Sequence, residues 1–192
     1  MNKKEKAIQI AKDLNKKLEA SIMNVPVLEG FNPINNNASE NIVFAAMTED
    51  HYIEQLISGD YEDIGDYLNE VDTLESKIED TIKETKEYMN NSNLESPSNN
   101  FIFLKELEGT FKFKIYVQDY IIKTKTPSAI RQLNAYFIEP RYNKFYQLSL
   151  STGPIAIPST IFEPGIINLE NDKITRELIE MMDIILSNIK YV

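Results

Sequence analysis

Histidine occurs once in the 192-residue chain, at His51, with Glu49, Asp50 and Glu54 beside it. An imidazole among carboxylates is the beginning of an acid–base or metal site, but both chemistries need further partners. No second imidazole exists to supply one, so His51 reads as a solvated residue at a helix start. The acids of Asp60-Tyr61-Glu62-Asp63-Ile64-Gly65-Asp66 are spaced like those of a calcium loop. The pattern fails where it needs oxygen ligands, at its fifth position (Ile64) and its twelfth (Val71). Glu79, Asp80 and Glu84 could imitate a glycosidase carboxylate pair, but their spacing puts them on a helix surface, not at strand ends over a cleft. Ser149-Leu150-Ser151-Thr152-Gly153 offers hydroxyls without a nucleophile elbow. There is no glycine-rich phosphate cradle with a lysine, and no cysteine for thiolate, disulfide or cysteine-ligated metal chemistry. The expectation is no cofactor, no metal and no catalytic set, which leans away from an enzyme.

The elements that would carry any site begin with residues 101–151, which read as four strands. Phe111, Phe113, Ile115 and Val117 alternate with Thr110, Lys112, Lys114 and Tyr116, so one face should be dry and the other wet. Glu108-Gly109 folds Phe101–Leu107 back on the strand that follows, and Thr126-Pro127-Ser128 ends that strand. Ile130–Glu139 and Lys144–Ser151 form a second hairpin, and connections this short predict an antiparallel meander.

Helices bracket this block. Residues 1–23 predict an amphipathic helix with lysines on its outer face, and 49–89 an acidic helical segment. Within that segment, Thr48-Glu49-Asp50-His51 reads as the start of a short helix ending at Ser58-Gly59, and a long helix runs from about Tyr61 to Met89. Val25–Leu28 is read as a short edge strand, Gly30–Asn41 as a loop, Ile42–Met47 as either a buried strand, the favoured reading, or the entry to a helix, and Asn90–Asn100 as a polar loop. Pro154, Pro158 and Pro164 exclude a regular central strand or helix, and the apolar residues among them either pack over the core, the favoured reading, or offer a docking edge. Residues 172–190 predict a C-terminal helix capped by Asp172, with Ile174, Leu178, Met181, Met182, Ile185 and Ile189 facing inward. The fold class expected is α+β, a single domain in which an antiparallel meander packs against the N-terminal, central and C-terminal helices.

Charge is concentrated. Glu49–Glu87 holds fourteen acids against three lysines, a local balance of −11 in a chain whose formal charge is −10. So acidic a chain disfavours nucleic acid, whose phosphates require a basic surface. The first residues lead into an amphipathic run, unlike a secretory signal, and no window approaches the roughly 18 apolar residues of a membrane span. A cytoplasmic location is the expectation.

The order of elements resembles the Mog1/PsbP/DcrB-like fold. The pieces that carry the likeness are Gly109–Lys123, Gln132–Phe137, Tyr146–Thr152 and Ile184–Ile189, within the C-terminal half. The resemblance implies a non-catalytic binding scaffold, and its members include small cytoplasmic chaperones of secreted bacterial toxins. The missing catalytic sets and ten tyrosines, a residue type favoured at interfaces, point the same way. The leading expectation is thus a bacterial chaperone, adaptor or immunity-type partner of another protein, with homo-oligomers open. Its contact residues would be Lys112, Lys114, Tyr116 and Tyr136 on the wet sheet face, and Asp60, Glu62, Asp63 and Asp66 on the acidic segment. The alternatives are a small-ligand binder or enzyme with a cleft between sheet and helices, and a phage or mobile-element structural protein.

Overall fold

Alternation governs the strand block as the residue pattern requires. Phe113, Ile115 and Val117 are at most 1% exposed, and the residues between them are half-buried. The computed structural model describes residues 23–24, 32–33, 42–47, 54–63, 70–92, 94–95, 101–140, 144–160 and 163–191. In chain order, β1 (Met23–Asn24), β2 (Asn32–Pro33), β3 (Ile42–Met47) and β4 (Glu54–Asp63) lead to helix α1 (Glu70–Asn90) and the short β5 (Leu94–Glu95). The meander follows as β6 (Ile102–Glu108), β7 (Lys112–Ile122), β8 (Ser128–Glu139) and β9 (Lys144–Ser151). β10 (Ile155–Ala156), helix α2 (Lys173–Ser187) and β11 (Lys190–Tyr191) complete the described elements.

Every described strand pairing is antiparallel, and the main sheet runs β2-β3-β4-β9-β8-β7. β7 takes β6 along Lys112–Val117 of its outer edge and β5 at Ile121–Ile122. β10 pairs with the start of β8, and β1 with β11. The fold class is therefore α+β with an antiparallel sheet.

Helices cover both faces. On one, Ile174, Leu178, Met182, Ile185 and Leu186 of α2 meet Phe113, Ile115, Val117, Leu133, Ala135, Phe137 and Leu150 in the main core. Asp172 caps this helix as its position before the apolar run suggests, its carboxylate accepting from the Thr175 amide at 3.0 Å. On the other face, Leu74 and Ile78 of α1 meet Tyr136, Ile138 and Phe145. The face expected to be wet is thus covered along this line. Lysine and tyrosine stems bury well while their tips stay polar, so alternation alone does not say whether a second layer lies above.

The acidic segment departs furthest from its helical reading. Glu54–Asp63 is a strand paired on both sides, with β3 and with β9, and α1 begins only at Glu70. Two strand edges needing hydrogen-bond partners outweigh a local capping signal. The predicted 30–41 loop contributes Asn32–Pro33 to the sheet edge, Met23 pairs in β1, and the 90–100 loop contains β5. The rest of the predicted N-terminal helix, Val25–Leu28, Thr48–Ile53 and Asp66 lie outside the described residues.

If α2 anchors the main core, Leu178→Ala, at a fully buried site, should lower the unfolding free energy by about 2–5 kcal/mol. Glu180→Ala on the exposed face should change it by less than about 0.5 kcal/mol. Urea unfolding of the two variants checks this, and equal losses would remove α2 from the core.

Candidate functional site

Asp119 and Arg131 occupy positions whose parity matches the apolar residues of their strands, Val117 on β7 and Leu133 on β8. Register pairs them directly across the strands, and both are buried on the α2 face. The guanidinium grips Asp119 with two 2.8 Å bonds, from Nε to Oδ1 and from Nη2 to Oδ2. Nη1 donates to Asp172 Oδ2 and, at 2.7 Å, to Thr175 Oγ1 at the start of α2. Nη2 also reaches the carbonyls of Glu163 at 3.2 Å and Ile166 at 3.0 Å. The Gly165 amide returns a 2.6 Å bond to Asp119 Oδ2, from a backbone at φ 80° that favours glycine. The second carboxylate, Asp172, sits at the positive end of α2. One cluster thereby ties two strands, a helix start and the strap 163–166 together.

That strap forms one wall of a groove. Gly165, Ile166, Ile167 and Leu169 face Ile102, Phe103 and Leu104 of β6 across an open space of about 470 Å³. Four large hydrophobic residues stand out as exposed among the described ones, and three line this groove: Phe103 at 49%, Ile166 at 53% and Leu169 at 47%. β6 has β7 as its one strand partner among the described residues. Its register shifts between Phe103 and Lys105, and Phe101 just before it has φ 62°, a strained conformation for a bulky residue. Lys105 is bound at 2.5 Å to Asp183 of α2. The exposed carboxylates of Glu108, Glu163 and Glu170 flank the groove segments in sequence, and the described salt bridges engage none of them.

The described contact residues expected from sequence lie outside the groove lining. Lys114 pairs with Glu75 of α1 and lies 3.7 Å from Glu106, while Lys112 lies 3.1 Å from Glu106. These lysines tie α1 and β6 to β7. Rings continue across the strands, Phe103 to Tyr116 at 5.4 Å, Tyr116 to Tyr136 at 5.8 Å, and Tyr136 stacked on Phe145 at 5.9 Å. Tyr136 is 1% exposed and offers no surface to a partner. Asp60, Glu62 and Asp63 belong to β4, opposite Gln147, Phe145 and Lys144, and two strands separate β4 from β7. Asp66 and His51 lie outside the described residues.

Between these groups lies an amide cluster in which Asn134 Oδ1 accepts from Gln132 Nε2 at 2.7 Å, Ser149 Oγ at 2.7 Å and Gln147 Nε2 at 3.3 Å. Asn134 Nδ2 and Gln118 Oε1 are buried without partners. Burial raises the phenol pKa values of Tyr120 and Tyr136, and burial followed by the charges of Glu79 and Glu106 raises that of Tyr116.

Among the described residues, no three histidine, cysteine or acidic side chains converge as a metal set, and no helix is long and apolar enough to cross a membrane. Glu79, Asp80 and Glu84 lie on the exposed side of α1. The groove and the Arg131 cluster were missed by motif reading, although a charge at apolar parity on each of two neighbouring strands marks Asp119 and Arg131 as a pair. Comparison with models of known protein families gives no match, and comparison with curated proteins gives none either.

Arg131→Met should lower stability by about 3–5 kcal/mol, because Asp119 and Asp172 are left buried without their cation. Urea unfolding checks it, and a loss below about 1 kcal/mol would show the cluster to be dispensable. A second expectation concerns alkali. Phenols held protonated in the fold above the ordinary value of 10.0 contribute stability in full below that pH. Above it the unfolded chain releases protons that the fold retains, and stability falls. Unfolding free energies measured across pH 10.0 should decline less steeply for Tyr136→Phe than for the unaltered chain; parallel curves would refute the assignment.

Proposed function

We propose that this chain is a non-catalytic protein-binding module, a chaperone, adaptor or immunity-type partner that receives an apolar segment of another polypeptide in the groove beside β6. The observation that carries this reading is the gathering of Phe103, Ile166 and Leu169, each about half exposed, in one open depression. Apolar surface collected in one place attracts a partner far more than the same residues scattered singly. An open groove suits a chain segment better than a small molecule, which usually has most of its surface enclosed. The exposed carboxylates of Glu108, Glu163 and Glu170 beside the groove favour a partner with basic residues near its apolar ones.

Panning a random peptide library on the immobilised protein tests the proposal. The unaltered chain and the control Tyr88→Glu, altered at an exposed aromatic on α1 outside the groove lining, should enrich a common set of peptides. The double variant Phe103→Glu with Ile166→Glu should lose that set while retaining its circular dichroism spectrum. Enrichment by the double variant equal to that of the unaltered chain, or none by the unaltered chain, would defeat the reading.

A further inference from the structure

We infer that the groove takes its partner as an added β-strand: an extended segment with alternating apolar residues and lysine or arginine between them pairs its backbone with the outer edge of β6. This rests on the binding reading above and specifies the form of the ligand. β6 is seven residues long and pairs on one side with β7, and β7 is the strand neighbour it has among the described residues. Its outer backbone groups therefore form a row of donors and acceptors, the template that strand addition uses. The opposite end of the main sheet closes with Asn32–Pro33, where proline has no amide hydrogen to donate.

The groove is built along this edge, which no other described strand covers. Its lining takes the consecutive residues Ile102, Phe103 and Leu104 from β6, and the strap supplies a second apolar wall in Ile166, Ile167 and Leu169. A strand laid on the edge would present alternate side chains to that wall, which is how strand addition gains specificity. The bulge between Phe103 and Lys105 and the bond from Lys105 to Asp183 discourage indiscriminate pairing, so side-chain contacts in the groove must supplement the ladder.

Charge selects the occupant. Glu108 is exposed on β6, Glu163 and Glu170 are exposed beside the strap residues, and the described salt bridges engage none of the three. A second copy would set these acids against their own kind, whereas an apolar strand carrying lysine or arginine complements them.

The experiment pans two libraries of peptides the length of β6, one alternating apolar residues with lysine and one patterned as an amphipathic helix. The best binder is then synthesised with alternate backbone nitrogens methylated, in each of the two phases, and its affinity measured by fluorescence anisotropy. The alternating library should win, and methylation in one phase should weaken binding about tenfold or more while the other phase has little effect. A winner from the helical library, or equal affinity for both methylated forms and the parent, overturns strand addition. If Phe103→Glu with Ile166→Glu still abolishes binding in that case, the groove reading stands without it. Full affinity of that double variant, or no binder from either library, overturns the groove reading as well.

Discussion

A buried guanidinium has to find an acceptor for each of its N–H groups, and Arg131 finds them by drawing four segments to one point. Asp119 on β7, Asp172 and Thr175 at the start of α2, and the carbonyls of Glu163 and Ile166 all converge on it. Apolar packing has no direction and would tolerate α2 at several positions on the sheet. Hydrogen bonds to a planar, forked cation do not. The cluster therefore fixes where α2 begins and where the strap crosses the sheet.

The two faces of the sheet are held by different means. Beneath α2 the core is aliphatic and phenylalanine-rich, broken by the ionic cluster at one end. Beneath α1 it is smaller and aromatic, assisted by the Lys114–Glu75 pair and bordered by amides, two of whose polar atoms go unmatched. Unmatched polar atoms in the interior oppose the burial that attaches a layer, and both sides carry that cost, because Asp183 Oδ1 of α2 is also buried without a partner. The acidic side of α1 points to solvent, with Glu79, Asp80, Glu84 and Glu87 exposed.

Much of this was legible in the residues. Strict alternation through Thr110–Val117, the turn at Glu108-Gly109 and the proline at 127 define strands whose partners can only be neighbours, and the meander follows. Asp172 before an apolar stripe at helical spacing marks α2 with equal clarity. β4 was not legible, because Gly59 and the cluster of acids argue against a strand and only the open edges of β3 and β9 call for one. The covering of Tyr136 was not legible for a related reason: parity assigns a residue to a face, and what covers that face is decided by a helix far away in the chain. The groove depends on a juxtaposition of β6 with the strap, some sixty residues later in sequence; the apolar, proline-rich run leaves a docking edge open as one reading, but local pattern does not say which strand it lies beside.

The distance between those segments gives the ionic cluster a role beyond cohesion. A buried ion cluster is seldom the most stable way to fill a core, since desolvation opposes the attraction between its charges. Here its return lies in position: Arg131 and Asp119 bond the backbone of Glu163, Gly165 and Ile166, so the apolar wall of the groove is held at the backbone while its side chains remain exposed. In the proposed binding mode, a wall already ordered before contact would lose no conformational freedom on meeting a partner, and that saving would add to affinity without any additional contact. The bond from Arg131 to the Ile166 carbonyl holds the backbone there while the side chain remains about half exposed. Exposed apolar surface is sustained in this protein by a polar cluster buried behind it.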